Sequence, residues 1–510
     1  MDLKEIALEN ITKTISEQIE IATPSATKAT GADLLALLAK FHFLRLIDQI
    51  PSARNANPAM LEMYEKSIEE SLKHIISIIV KFQHADEQFN FNGTIPKVNA
   101  HLIQSLLKIG VNINSKYEAL SLIELFGVQP STREGFHYSI DMGKENMEPD
   151  KKKLFDYALR VDNDNDIRKR KHTIEQLFVS FLEEYSPVEG FFLEELKITP
   201  TEFCEFHTII LDEMTRKIQS NVLKYDYLDN RNVDIESIKT LLVFSESFVF
   251  KKLWLSNNIH QKYNTLIDRL KFNVKDFDEN QLRFHQLTRQ PLIEKGELFI
   301  ISPEILLDSI FLNTHYILLE STSKQKYIAA QANSFVDKIV KVANGFGYRE
   351  VEREKELYEG KNQLGDIDVI LQGSGGDFLL IEAKNHALPL DVYFKDPIKT
   401  NAHLTYLQEK WEKNVKRRSR HLSTNHEDYG IKSKYKYIVV SKFPEIISHY
   451  SDLLILSMEE FKIWLTQPIK SENFELFFKD HYDNLGNNFN EEELLQMGKD
   501  NLYFGTYAAE

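Results

Sequence analysis

Cysteine is almost missing from this chain: Cys204 is the single one among 510 residues. A lone thiol forms neither an intrachain disulfide nor a multi-cysteine zinc site, so a reducing, cytoplasmic setting is expected. Long hydrophobic runs are missing too. The most apolar stretch, ADLLALLAKFHFLRLIDQI, is interrupted by Lys40, His42 and Arg45, so no membrane span is expected. The opening MDLKEIALEN holds acids and no apolar core of signal-peptide length, which argues against an export signal. Positive charge is in deficit: 62 Lys and Arg against 77 Asp and Glu leave a net charge of −15. That disfavours nucleic-acid or anionic-lipid binding over the whole surface and leaves a local groove open. Absent motifs narrow the chemistry further. There is no G-x-x-x-x-G-K-[ST] phosphate loop, no H-E-x-x-H and no G-x-S-x-G, and the 16 His are scattered without ligand spacing.

What is present describes a folded protein. Hydrophobic residues make up 42% and charged residues 27%, which excludes wholesale disorder, and the length suggests about three domains. Up to about residue 325 apolar residues recur mainly at helical spacing. In NPAMLEMYEKSIEESLKHIISIIVKFQ, Leu61, Tyr64, Ile68, Leu72, Ile75 and Ile79 fall three or four apart with Glu and Lys between them, predicting an amphipathic helix. NAHLIQSLLKIG, EALSLIELFG, TIEQLFVSFLEEY and TPTEFCEFHTIILDEMTRKIQSNVLKYDYL follow the same rule, the last starting at Thr199-Pro200 and carrying Cys204 as a small hydrophobe. GVQPSTREGFHYSIDMGKENMEPDKKK and DNDNDIRKRKH are polar and punctuated and read as linkers or loops.

After residue 325 the character changes. GYREVEREKEL, GDIDVIL, DFLLIEAK and KYKYIVVSK are short β-type runs, interleaved with helical stretches around QANSFVDKIVKVANG and NAHLTYLQEKWEKNVKRR. LLILSMEEFKIWL adds a further strand and helix. The expected fold is multidomain: a largely α-helical N-terminal region over 1–140 and 141–325, an α/β domain over 326–468, and an acidic tail over 469–510 without an assignable role.

The segment GDIDVILQGSGGDFLLIEAKN carries the chemistry. Gly373, Gly375 and Gly376 between two β-type runs predict a hairpin with a Gly-rich turn. Alternation places Asp366, Asp368 and Ile370 on one face of the first strand, and Phe378, Leu380, Glu382 and Lys384 on one face of the second. If the faces match, Asp368, Glu382 and Lys384 converge. Charged groups ending apolar strands must be paired, solvated or metal-bound. Two carboxylates suit Mg²⁺, and a neighbouring ammonium suits a water or a phosphate. The plain alternative is a surface hairpin with an exposed ion pair.

Asp368, thirteen intervening residues and then Glu382-x-Lys384 resemble the PD-(D/E)xK nuclease superfamily, the restriction-endonuclease-like fold, over about residues 328 to 468. GDIDVIL followed by FLLIEAKN is most similar to its Mrr-like and nuclease-related (NERD) groups. The resemblance implies a central mixed sheet flanked by helices, with Asp368, Glu382 and the Ala383 carbonyl as ligands of Mg²⁺, which Mn²⁺ could replace, and Lys384 beside the attacking water. On the helix before the first strand, Asp337 stands where Glu is usual, as a further candidate ligand. Asp366 stands where related GEID sequences have Glu, and the Pro of the superfamily's name is absent before Asp368. The implied activity is hydrolysis of phosphodiester bonds, in DNA ahead of RNA, in bacterial antiviral defence. The helical region would then serve recognition or regulation, including a homodimer or a protein partner.

Local charge agrees with that implication. From Asn385 to Lys442 there are twelve Lys and Arg against six Asp and Glu. Leu404, Leu407, Trp411 and Val415 fall on one helix face, Trp411 as a core anchor, leaving Lys410, Lys413, Lys416, Arg417, Arg418 and Arg420 to project elsewhere and meet nucleic-acid phosphates. His386 reads as a loop residue. The competing expectation is a nuclease-like scaffold that grips nucleic acid or protein without cutting.

Overall fold

In the computed structural model, residues 2–44, 58–83, 89, 95–133, 136–140, 148–170, 173–224, 238–284, 286–385, 389, 392, 396–432 and 434–482 are described. They form two compact units that do not follow chain order: Met1–Leu120 with Glu189–Thr322, and Ser121–Val188 with Ser323–Gly486. The stretch 121–188, expected among the helical domains, thus belongs with the C-terminal sheet.

The first unit is built mainly of helices, including Leu3–Lys28, Gly31–Leu44, Pro58–Phe82 and Pro200–Lys224. Ile68, Leu72, Ile75 and Ile79 of Pro58–Phe82 are buried, as the spacing requires. Cys204 is buried, and burial followed by the Glu205 charge pushes its thiol up to about 12, so it acts as an apolar filler. No helix among the described residues is long and apolar enough to cross a membrane. Helical periodicity missed one feature. Val249–Lys251, Leu298–Ile301 and Leu292–Lys295 make a three-stranded antiparallel sheet with the middle strand in the centre, closed by a turn at Gly296 with φ of +55°. Runs of three or four residues are too short to reveal a period of two.

The second unit centres on a mixed five-stranded sheet flanked by helices. Its strands are β1 (Tyr348–Glu359), β2 (Asn362–Gly373), β3 (Phe378–Lys384), β4 (Tyr435–Ser441) and β5 (Leu454–Ser457), adjacent in chain order. β1, β2 and β3 pair antiparallel, whereas β4 runs parallel to β3 and β5 parallel to β4. Antiparallel neighbours need only tight turns; the parallel steps need crossovers, which helical segments supply. The helices used below are α1 (Pro149–Arg170), α2 (Lys324–Asn344), α3 (Lys413–Asn425), α4 (Met458–Thr466) and α5 (Phe474–Tyr482).

Both faces of β3, β4 and the edge strand β5 are covered, so they read as near-continuous apolar runs. Val369, Leu371, Leu379, Ile381, Ile438 and Val440 pack against Phe335 and Ile339 of α2, Phe461 and Trp464 of α4 and Phe477 of α5. Behind the sheet, Val439 and Ile455 meet Leu154 and Val161 of α1, while Ile370 and Leu380 meet Leu422 of α3. Each such fully buried aliphatic is worth about 2 kcal/mol relative to exposure. β1 is different: YREVEREKELYE is charged and largely exposed, which suits an edge strand that must not recruit another chain. One expectation is corrected here: DNDNDIRKR, read as a linker or loop, is the end of α1. Phe474–Tyr482, in the stretch without an assigned role, supplies α5 to the core.

Candidate active site

The β2–β3 hairpin has the expected turn. Gly376 N–H donates to the Gly373 carbonyl at 2.9 Å and Gly373 N–H donates to the Asp377 carbonyl at 2.8 Å, with Gly376 at φ of +82°. Register pairs Ile370 with Leu380 and Val369 with Ile381. Asp368 and Glu382, one residue farther out on each strand, therefore stand on one face of the sheet with Lys384 beyond them. Ala383 N–H donates to Asp368 Oδ2 at 2.6 Å, which fixes that carboxylate across the end of the ladder. Burial, and after it the Glu382 charge, push the Asp368 carboxyl up to about 6, against the pull of Lys384 and the Ala383 N–H. Asp366 adds a smaller push in the same direction.

Glu382 is 1% exposed, so its charge needs partners, and they come from α3 and β4. Arg418 Nε donates to Oε1 at 2.8 Å and Nη2 donates to Oε2 at 2.7 Å, a two-pronged contact. The Tyr437 hydroxyl also donates to Oε1. Burial, then the Glu382 charge, hold Tyr437 well above its ordinary value, so it stays a neutral phenol. Lys384 Nζ lies 3.8 Å from Glu382 Oε2 and 5.9 Å from the centre of the Trp411 ring. Trp411 itself packs with Leu404, Leu407 and Val415 in the core, as expected of an anchor.

Arg418 reaches Glu382 because of two local features. A π-helical turn, Leu407–Glu412, runs directly into α3, whose buried positions are Val415, Arg418 and Leu422. Opposite, Gly365 adopts φ of +112°, and a Cβ there would stand 2.8 Å from Arg418 Nη1. That φ favours glycine, and any side chain there would have to push the guanidinium aside. Arg417 Nη2 donates to the neighbouring Leu364 carbonyl at 3.3 Å.

The other expected site residues are scattered around this centre. Lys410, Lys413, Arg417 and Arg420 are exposed. Lys416 pairs with Glu412 at 2.8 Å and Asp452 at 3.1 Å. Arg418 departs from the outward-facing set, being drawn inward by the buried carboxylate. Asp337, on α2, does not join the trio; its exposed carboxylate accepts from Arg353 of β1 at 2.6 Å. His386 lies outside the described residues. Sequence reasoning missed Arg418 and Tyr437 as partners of Glu382. The available signal was position: Arg418 interrupts an apolar stripe, and Tyr437 alternates onto the same face as Val439.

The donor set fits a hard divalent cation, with two carboxylates and the Ala383 carbonyl, which alternation points towards β2 beyond the last ladder pair. Among the described residues no group of three or more His, Cys, Asp or Glu gathers as ligands, so two acids would have to suffice. Compared with known proteins, the chain matches no family model, and no curated protein or solved structure is significantly similar to it.

Proposed function

We propose that the sheet unit is a metal-dependent nuclease that hydrolyses phosphodiester bonds, in DNA ahead of RNA, with the first unit as its recognition or regulatory module. The observation that carries this reading is the meeting of Asp368, Glu382 and Lys384 on one face at the ends of adjacent strands. The element order around it lends support: a helix, three antiparallel strands, a helical crossover and a parallel strand, as in the restriction-endonuclease-like fold the sequence resembles.

Asp368, Glu382 and the Ala383 carbonyl would hold Mg²⁺ or Mn²⁺. The bound ion supplies an activated water and a counter-charge for the phosphate. The chain's own groups do the rest. Ala383 N–H holds the Asp368 carboxylate in one orientation. The Lys384 ammonium, partly exposed beside Glu382, offers positive charge to a phosphate or a hydrogen bond to a water. Lys413, Arg417 and Arg420, exposed on α3, would neutralise neighbouring backbone phosphates and make binding salt-sensitive.

Incubating plasmid and single-stranded DNA and RNA with the full chain, with and without Mg²⁺ or Mn²⁺, tests the reading. Metal-dependent cleavage is expected, falling about 100-fold or more in Lys384→Ala. Cleavage that survives this substitution removes Lys384 from the mechanism. A second reading draws on one observation: Arg418 already satisfies Glu382, as in a nuclease-like scaffold that binds without cutting. Binding without cleavage on every substrate and metal would favour it.

A further inference from the structure

Glu382 is the best-satisfied carboxylate of the trio, and its partner is a cation. Arg418 covers both oxygens with its fork at 2.8 and 2.7 Å, and Tyr437 adds a hydrogen bond to Oε1. The Arg418 side chain is 10% exposed and that of Glu382 2%, so water screens the pair poorly. A divalent ion shared by Asp368 and Glu382 would have to use the one lone pair left on Oε2, directly beside the guanidinium charge. In so dry a place the two cations repel each other and compete for one carboxylate.

The chain has also built a seat for the guanidinium. Gly365, the glycine opening GDIDVIL, holds a φ of +112° and presents no side chain where Nη1 passes. The π-helical turn Leu407–Glu412 and the buried stripe of α3 set Arg418 against that gap. A surface arginine pairing by chance would need none of this. Arg418 lies on the buried stripe of α3 with Val415 and Leu422, so its departure disturbs the turn of α3 that carries it.

We propose that Arg418 is a built-in counter-ion that closes Glu382 to divalent cations, so that metal binding at Asp368 and Glu382 requires the guanidinium to leave. This rests on the reading of the trio as a metal site. In the absence of metal, the buried acid is kept paired, oriented and unavailable. The apparent affinity for metal is then the intrinsic affinity reduced by the fraction of molecules in which Arg418 has left.

Binding of Mn²⁺ to the full chain, followed by the loss of free-ion electron paramagnetic resonance signal at neutral pH, tests the proposal without relying on cleavage. Arg418→Ala is expected to bind Mn²⁺ about tenfold more tightly than the wild type, as an open fraction near a tenth requires. Arg418→Lys should fall between them, because an ammonium keeps the charge without the fork. Asp368→Asn should abolish binding in either background. Equal or weaker binding by Arg418→Ala, with Asp368→Asn still abolishing it, keeps the metal site and overturns the counter-ion. No binding by wild type or variant removes the metal site and the counter-ion together. Should Arg418→Ala fail to fold, hydrogen exchange of the wild type decides: saturating Mn²⁺ should lower amide protection in Lys413–Asn425. Unchanged protection there, with Mn²⁺ bound, overturns the proposal.

Discussion

Arg160 and Arg418 each fork onto a glutamate inside the same unit, with nearly the same geometry. Arg160 meets Glu460 at 2.7 and 2.8 Å, and Arg418 meets Glu382 at 2.8 and 2.7 Å. Their surroundings differ. The Arg160 side chain is 0% exposed, donates also to the Glu445 carbonyl at 3.1 Å and lies over the Phe474 ring at 4.2 Å. Glu460 further accepts from Ser457 N–H at 2.7 Å and from the Tyr482 hydroxyl at 2.9 Å. Burial opposes its charge, yet Arg160 and these donors hold the carboxyl below its ordinary range. That pair ties α1 to α4 and α5, and nothing in it is open to a ligand. Glu382 instead has a second acid and a lysine beside it at the end of a strand. The same pairing thus makes a rivet where every lone pair is spoken for by the fold, and a site where a rival acid is close.

The largest expected effect breaks the rivet. Arg160→Ala leaves Glu460 buried without its counter-charge and should cost about 3–5 kcal/mol in urea unfolding of the full chain. Arg418→Ala should cost less, about 1–3 kcal/mol, because Tyr437 and Lys384 remain around Glu382. Equal losses would mean that both pairs are structural. Next in size, Gly365→Ala forces a side chain onto a φ of +112° and against the Arg418 guanidinium, for an expected loss of about 2 kcal/mol. Arg160 and Glu460 should be untouched by it, so combining Gly365→Ala with Arg160→Ala should give additive losses.

Acid and base separate the regions in a second way. Asp368 has its carboxyl raised from 3.8 to about 6, so the folded chain favours the protonated form. A raised folded value contributes stability that is complete below the unfolded pKa and is lost as pH rises through about 6. Asp368→Asn should therefore stabilise the protein by about 1–2 kcal/mol above pH 7, after discounting partial exposure, with the gain vanishing below about pH 4. Glu460 runs the other way: its lowered value contributes stability present above the ordinary carboxylate range and lost as pH falls through the folded value. Melting curves between about pH 2 and 8 check both signs.

Much of the sheet unit was legible because its strands are bounded by turns and buried on both faces. The Gly373–Gly376 turn, the alternation of Asp368 with Ile370 and of Glu382 with Leu380, and the helix between β3 and β4 all follow from local rules. Three features were not legible, each for a physical reason. The unit takes α1 from far upstream, because Leu154 and Val161 find apolar partners such as Val439 and Ile455 in the distant sheet. The strands at Val249–Lys251, Leu292–Lys295 and Leu298–Ile301 are shorter than the period that would announce them. Arg418 looked like one basic residue among six, because its partner lies 36 residues away in sequence and the need for it arises from Glu382 being 1% exposed. Charge counting sees the arginine and not the dry carboxylate that claims it.

The smallest expected effect sharpens the comparison most. Tyr437 and Tyr482 stand in equivalent places, each with a hydroxyl donating to the paired glutamate. Tyr482→Phe removes one donor from a carboxylate that keeps Arg160 and the Ser457 N–H, and Tyr437→Phe removes one from a carboxylate that keeps the Arg418 fork. Each loss should be about 1–1.5 kcal/mol, the worth of a hydrogen bond to a charged group. If Glu382 serves a metal, Tyr437→Phe should also tighten Mn²⁺ binding by about twofold, since Oε1 loses one of its two donors. Tyr482→Phe should leave Mn²⁺ binding unchanged. Equal stability losses with a change in metal binding from Tyr437→Phe alone would set the two pairs apart by what they do, where their geometry is nearly the same.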